Sequence, residues 1–346
     1  MKTNYVTIKD IARQLGVSAS TVSRALKDHP DISKSTKDAV QELAEKLNYQ
    51  PNALALSLKH RSSKTIGVII PEIVHFFFSS VISGIEDVAY EAGFTVIICQ
   101  SNEMYSREVE NTKALIAHRV DGILISVTKN TSQYKHLENI MESGIPMVFF
   151  DRIVPEITAD QVIIDDEMAA YKATKHLIDL GRKRILHFSG PSNLLIGRQR
   201  LAGYLRALKE AGMEENRDLI VNVDSYEGGF RAIRWLIDRE VDFDGLFAVN
   251  DSTAIGAMHA LQNHNISIPQ QVAIIGFSDG RLSSISRPTL SSVDQHGYEM
   301  GSQAMLLLLE RINATEDYPA VTKKLETNLV IRSSSSLENK DFFANV

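Results

Sequence analysis

From Ile66 onward the chain alternates short apolar runs with amphipathic stretches of helical period, a rhythm that few architectures tolerate. Runs at 66–70, 95–99, 122–126 and 147–150 read as one series of strands, and runs at 162–164, 184–188, 219–223, 245–248 and 272–275 as a second. Helices such as 79–92, 169–180, 198–211, 253–262 and 297–311 lie between strands or follow the second series. Strands separated by helices pair in parallel, because each crossover returns the chain to the same edge. Two parallel sheets are therefore expected, with the late strand 290–293 and its helix crossing back to the first lobe. Two α/β lobes with crossing connections make a hinged cleft, and ligands of such sheets sit beyond the carboxyl ends of the strands.

A chain of 346 residues accommodates two or three folded units. Hydrophobic residues at 44% and charged residues at 23% fit a globular protein and exclude a disordered one. No run approaches the ~18 apolar residues of a membrane span. Met1-Lys2-Thr3-Asn4-Tyr5 leads into a polar, helix-like pattern without the apolar stretch of an export signal, so a cytoplasmic protein is expected. The lone cysteine, Cys99, excludes an intrachain disulfide and a cysteine metal cluster. Charge is uneven: residues 1–64 carry 11 Lys/Arg against 6 Asp/Glu, whereas the remainder carries 26 against 37. A basic module on an acidic body points to a polyanion contact confined to the N-terminus.

That module is helical. Thr7-Ile8-Lys9-Asp10 has the form of a capping box, and Ile8, Ile11, Ala12 and Leu15 then recur on one helical face. Gly16 ends the helix, Ser18 caps a second, and in that second helix Val22 and Leu26 lie opposite Ser20 and Arg24, which are flanked by Thr21 and Ser23. Hydroxyls suit phosphates, and arginine pairs the two acceptors of guanine in a major groove. A third helix begins near Ser33 to Ser35 and contributes Val40, Leu43, Ala44 and Leu47 to a small core. Periodicity alone fits an ordinary helical hairpin as well as a helix-turn-helix.

The order and spacing of Val6-Thr7-Ile8-Lys9-Asp10-Ile11-Ala12, Gly16-Val17-Ser18, Thr21-Val22-Ser23-Arg24 and Leu47-Asn48-Tyr49-Gln50-Pro51-Asn52 closely resemble the DNA-binding headpiece of the lac repressor family. The resemblance implies that Thr7, Ser18, Ala19, Ser20, Thr21, Ser23 and Arg24 contact operator DNA, with Ala19 and Ser20 at the specificity positions and Arg24 reading a base. The segment 51–65 by itself reads as a linker that packs a little apolar surface on the headpiece, whereas the resemblance implies a hinge helix which folds on DNA against its copy from a second subunit. There Leu58 wedges into a minor-groove step beside Ala55 and Lys59.

The body resembles the effector domain of the same family through Arg200-Leu201-Ala202-Gly203-Tyr204, Asn250-Asp251 and Ile275-Gly276-Phe277-Ser278-Asp279. The expected organisation is a headpiece at 1–50, the hinge at 51–65, and a two-lobed effector and dimerisation domain of periplasmic-binding-protein type at 66–332. Its first lobe comprises about 66–161 plus 291–325 and its second about 162–290, with a tail at 333–346.

Strand ends supply the candidate effector ligands. Phe76, Phe77 and Phe78 follow the first strand and either face a sugar or base or pack in the core; the resemblance selects Phe77 and Phe78. Asp151 and Asp165 end strands and either accept paired hydrogen bonds from sugar hydroxyls or cap helices. Asn250 offers a donor and an acceptor, and Arg200 resembles the effector-gripping arginine. The family commonly has an acid after Gly and an aromatic residue, but here Ser278 occupies that place and the acid follows at Asp279. Ile196 likewise stands where a polar contact is frequent. A sugar or sugar derivative is the first effector class implied and a nucleobase or nucleoside the second.

Enzyme signatures are missing: there is no phosphate-cradling Gly-rich loop after a strand, no His-Glu-x-x-His and no Gly-x-Ser-x-Gly. No catalytic residue, metal ligand or cofactor is assigned. The body alone fits a transport-type sugar-binding protein equally well, whereas the headpiece and the missing export signal favour a repressor. Two-fold operators imply a homodimer on a palindromic site, without membrane contact. The tail lacks a leucine heptad for a tetramerising coiled coil.

Overall fold

The computed structural model describes residues 6–49, 62–316 and 318–336. The chain divides after Lys64 into two compact units. Among its described residues the N-terminal unit has three helices, α1 (Ile8–Leu15), α2 (Ala19–Ala25) and α3 (Lys34–Lys46). Gly16 turns the chain between the first two with φ of 64°, a left-handed conformation that glycine adopts without a Cβ clash. Ser18 and Ser33 cap α2 and α3 by accepting from the amides of Thr21 and Thr36. Ile11, Ala12, Val22, Ala25, Val40 and Ala44 form the core, with Leu43 and Leu47 packed against it.

The second unit consists of two lobes, each built on a six-stranded sheet. The first sheet contains β1 (Thr65–Ile70), then α4 (Phe76–Glu91), β2 (Thr95–Gln100), α5 (Tyr105–Ala117), β3 (Gly122–Ile125), α6 (Lys135–Glu142), β4 (Met147–Phe150) and β5 (Asp160–Ile164). The chain then crosses to α7 (Asp166–Asp179), β6 (Ile185–Ser189), α8 (Leu195–Glu210), β7 (Ile220–Asn222), α9 (Tyr226–Ile237), β8 (Gly245–Ala248), α10 (Asp251–Asn263), β9 (Ala273–Ser278), α11 (Arg281–Ile285) and β10 (Ser291–Asp294). It returns as α12 (Gly297–Asn313) and β11 (Thr322–Leu325) and crosses a third time to β12 (Asn328–Val330). The strand orders are β11-β5-β4-β3-β1-β2 and β12-β10-β9-β8-β6-β7. Every pairing is parallel except β10 with β12. In each sheet the order reverses beside the first strand, at β1/β3 and at β6/β8, and those switch points open toward the cleft.

Three boundaries differ from the sequence reading. Strand 162–164 belongs to the first sheet, where β5 lies between β4 and β11. Arg311 of α12 holds Asp160 at the head of that strand with two hydrogen bonds of 2.6 and 2.7 Å, a tie that an apolar run cannot reveal. Strand 290–293 does not cross back: β10 stays beside β9 in the second sheet, and only α12 returns to the first lobe. Nor is 333–336 a loose tail. Ser334 and Ser335 are fully buried, with Ser334 Oγ donating to Ile274 O at 2.7 Å and accepting from Ser291 N at 2.8 Å.

Helix α12 reaches the first lobe through close contact with α4. A methyl group on Gly84 would collide with the carbonyl of Tyr298, and one on Gly301 with the carbonyl of Val81. Small residues at both crossing points let the two backbones touch. In the second lobe His187 is fully buried between the rings of Tyr204 and Phe247, whose centroids are 4.8 and 4.9 Å away.

Candidate functional site

On α2, packing of Val22 and Ala25 into the core turns Ser20 and Arg24 outward, and both are exposed. Ser18 Oγ lies 2.7 Å from Ser20 Oγ and 2.8 Å from Thr21 Oγ1, so the start of the helix is a cluster of hydroxyls. Ala19, Thr21 and Ser23 are half-buried beside them. Thr7 is exposed at the start of α1, but its hydroxyl donates to Asp10 at 2.6 Å and its amide to the same carboxylate at 2.9 Å. Its hydrogen bonding is therefore partly spent within the helix. Ala55, Leu58 and Lys59 lie outside the described residues.

Between the lobes of the second unit lies a cleft of about 640 Å³, into which the ends of β1, β4, β6, β8 and β9 open. Of the residues expected there, Phe77, Phe78, Asp151, Arg200, Asn250 and Ser278 all line it. Phe77 and Phe78 sit in the first turn of α4 and are largely core, 8% and 3% exposed, while their neighbour Phe76 is the open aromatic at 51%. Asn250 caps α10 by accepting from Thr253 N at 2.8 Å and donates to Asp224 O at 2.9 Å.

Arg200 is buried. Its Nε donates to Asp166 Oδ1 and its Nη1 to Val249 O, both at 2.7 Å, and the guanidinium lies 3.7 Å from the centroid of the Phe277 ring. Asp151 ends β4 with φ of 59°. Burial pushes its carboxyl up to about 6, against the opposing pull of Arg152 and Arg200. Ser278 has φ of 107°, a conformation that disfavours any side chain, and its hydroxyl donates to Gln295 Oε1 at 2.7 Å. Gln295 in turn reaches Asp151 at 3.5 Å, linking the second lobe to the first.

Two expected ligands point elsewhere. Asp165 is a helix cap, accepting from Met168 N at 3.0 Å and pairing with Lys324 at 3.0 Å. These contacts hold its carboxyl below the usual range. Its neighbour Asp166 is the acid that faces Arg200, because the first position of a helix turns inward where the cap does not. Asp279 is paired with Arg332, through a second contact of 3.1 Å, and stays outside the main cleft. The shifted acid of the sequence thus does not substitute for the one missing at Ser278.

The sequence reading misses Asp166, Gln295, Lys129, Arg152 and Asp224. The Asp165-Asp166 doublet is a signal that either acid can cap while the other turns in. Gln295 follows the strand that the sequence reading assigns to the wrong lobe. Lys129 and Asp224 come from different lobes and meet at 3.0 Å only in the folded chain. Among the described residues no group of three His, Cys, Asp or Glu side chains is set to hold a metal, and no helix is long and apolar enough to cross a membrane.

Comparison with known proteins matches residues 7–52 to the model of bacterial regulatory proteins of the lacI family. Residues 63–330 match that of periplasmic binding proteins and the sugar-binding domain of the LacI family. Catabolite control protein A of Priestia megaterium is 35% identical over 310 residues, 89% of this chain and 93% of that protein. The HTH-type transcriptional repressor PurR of Vibrio parahaemolyticus is 34% identical over 334 residues, covering 95% and 98%. The solved complex of the transcriptional regulator CelR with cellobiose superposes with a TM-score of 0.73 at 29% identity, covering 95% of this chain and 99% of that one. The N-terminal match decides against the transport-type binding protein that the body alone left open. A helix-turn-helix unit joined to a two-lobed cleft, matched along nearly the whole chain, makes this protein a member of the LacI family of bacterial transcription regulators, DNA-binding proteins governed by a small effector and not enzymes.

Proposed function

We propose that the chain represses transcription as a homodimer on a palindromic operator and that a sugar or sugar derivative in the interlobe cleft sets its operator affinity. The observation that carries the reading is the pairing of an outward Arg24 and hydroxyl cluster on α2 with a cleft in which Arg200 is held rigidly by Asp166. In this reading Ser18, Ala19, Ser20, Thr21 and Ser23 position α2 in the major groove, Arg24 reads a base, and Leu58 wedges the minor groove beside Ala55 and Lys59. Thr7 contributes to a phosphate contact through the start of α1. Arg200, Asn250 and Ser278 offer hydrogen bonds to hydroxyls, Asp151 accepts, and Phe77 with Phe78 backs the apolar face of the ring. The protein works where the chromosome is, in the cytoplasm.

The cellobiose-bound CelR and a ribose-bound LacI family regulator from Enterococcus faecium, 30% identical, favour a sugar. An aromatic flank serves a planar base equally well, so a nucleobase is the second reading. Genomic selection of bound DNA identifies the regulated genes. Thermal shifts with cellobiose, ribose and hypoxanthine then separate the effector classes. Stabilisation by a sugar that disappears in Arg200→Ala, with operator binding retained, supports the proposal; stabilisation by hypoxanthine alone overturns the sugar assignment.

A further inference from the structure

The cleft is bridged on one side by a loop that the effector reading leaves without a role. After β3 the segment 126–131 turns across the mouth, and Lys129 at its tip touches the second lobe twice. Its ammonium lies 3.0 Å from Asp224 Oδ2, and its carbonyl accepts from Asn193 Nδ2. Lys129 and Asp224 are each about one-third exposed and line the cleft. A charged side chain and a backbone group from one residue thus hold both lobes.

Two acids, one just before α5 and one within it, hold the loop from the first lobe. Glu108 is fully buried; its Oε2 accepts from Thr128 N at 2.6 Å, and its Oε1 from Thr131 Oγ1 at 2.7 Å and faces His136 Nε2 at 2.8 Å. Glu103 accepts from Lys129 N at 2.8 Å and from Arg152 Nη1 at 2.8 Å, while its carbonyl accepts from Asn130 Nδ2 at 2.6 Å. A carboxylate removed from water must have its acceptor sites filled, and here the loop amides and hydroxyls fill them. These bonds all come from the first lobe, so they hold the loop without help from the second.

We propose that segment 126–131 is a latch which holds the lobes closed on this side of the cleft, with Lys129 as its bolt and Glu108 as the positioning residue that keeps the bolt aligned. Any effector using this side must wait for Lys129 to leave Asp224 and Asn193, so the latch sets the closed population and the rate of exchange. Both halves of the latch belong to this chain, so it is tested independently of what the cleft binds.

The test uses the full chain carrying Cys99→Ser, with spin labels at Glu110→Cys on α5 and Arg234→Cys on α9, both exposed. Labelled chain is diluted with unlabelled chain, and interlobe distances are read by double electron–electron resonance without any ligand. Lys129→Met and Asp224→Asn should each lower the closed-to-open ratio by roughly twofold to fivefold, the scale of a partly exposed ion pair. The double variant should add nothing further, and Lys129→Arg should restore the parent distribution. Glu108→Gln should raise amide exchange at 127–131 and open the lobes partly. A Lys129→Met distribution that superposes on the parent overturns the latch. Unchanged exchange in Glu108→Gln removes Glu108 from its positioning role.

Discussion

Asp166 and Arg200 meet at 2.7 Å with each side chain only 4% exposed, an ion pair closed off between the start of α7 and the start of α8. Burial pushes the Asp166 carboxyl up and the guanidinium pulls it back. A buried pair of this kind is costly to break from one side, because the remaining charge has no water to replace its partner.

Asp166→Ala should therefore destabilise the body by about 3–5 kcal/mol. The double variant Asp166→Leu with Arg200→Met should lose less, since it leaves no orphaned charge. Urea midpoints of the three proteins at constant slope check this; a double variant as weak as the single would show that packing, not charge, dominates.

Two buried groups give opposite dependences on pH. Asp151 is raised by burial from 3.8 to about 6, so its contribution to stability is complete below 3.8 and is lost as pH rises through about 6. His187 is lowered by burial from 6.5 to about 4, so its contribution is complete above 6.5 and is lost as pH falls through about 4. Asp151→Asn should gain on the parent by up to about 3 kcal/mol between pH 4 and 7, at roughly 1.4 kcal/mol per pKa unit. His187→Phe, which keeps the ring stack, should flatten the acid limb instead. Urea titrations from pH 4 to 7.5 measure both; parallel profiles for Asp151→Asn and the parent would contradict the first.

Gly301→Ala places a methyl against the carbonyl of Val81 at the α4–α12 crossing. Overpacking a backbone contact should cost about 1–3 kcal/mol and move α12 away from α4. Gly93→Ala, where a methyl meets open space but φ is 72°, isolates the backbone strain from the collision. Thermal unfolding of the two variants compares them, and equal losses would mean that crowding at the crossing is unimportant.

Arg24 projects from α2 and is exposed. Arg24→Ala should leave headpiece stability unchanged while weakening binding to the selected operator by about 1–3 kcal/mol and relaxing preference at one base position. Fluorescence anisotropy at fixed salt, against the operator and single-base variants, reads both. A uniform loss across all sequences would reassign Arg24 to a phosphate.

Local order in this protein is legible in its amino-acid sequence. Periods are set by neighbours a few residues apart, so the three helices of the headpiece, the outward Arg24 and most of the strands follow from which positions must be buried. Caps and the Gly16 turn are local in the same way. Asp151 and Asn250 are legible because strand ends in a parallel sheet gather at one end, whereas Phe77, Phe78, Arg200 and Ser278 are legible through the resemblance to the family. What the sequence hides is every decision between residues far apart in the chain. β5 joins the first sheet by pairing with β4 and β11 and β10 the second by pairing with β9 and β12, choices braced by Arg311 on Asp160 and by Ser334 on Ser291. Whether Asp165 or Asp166 faces Arg200 depends on which of them caps α7. The partners of Asp279 and Lys129 are likewise chosen only when Arg332 and Asp224 arrive beside them. An apolar run or a lone charge states what a residue needs, a dry place or a counter-charge, and is silent on which distant group will supply it.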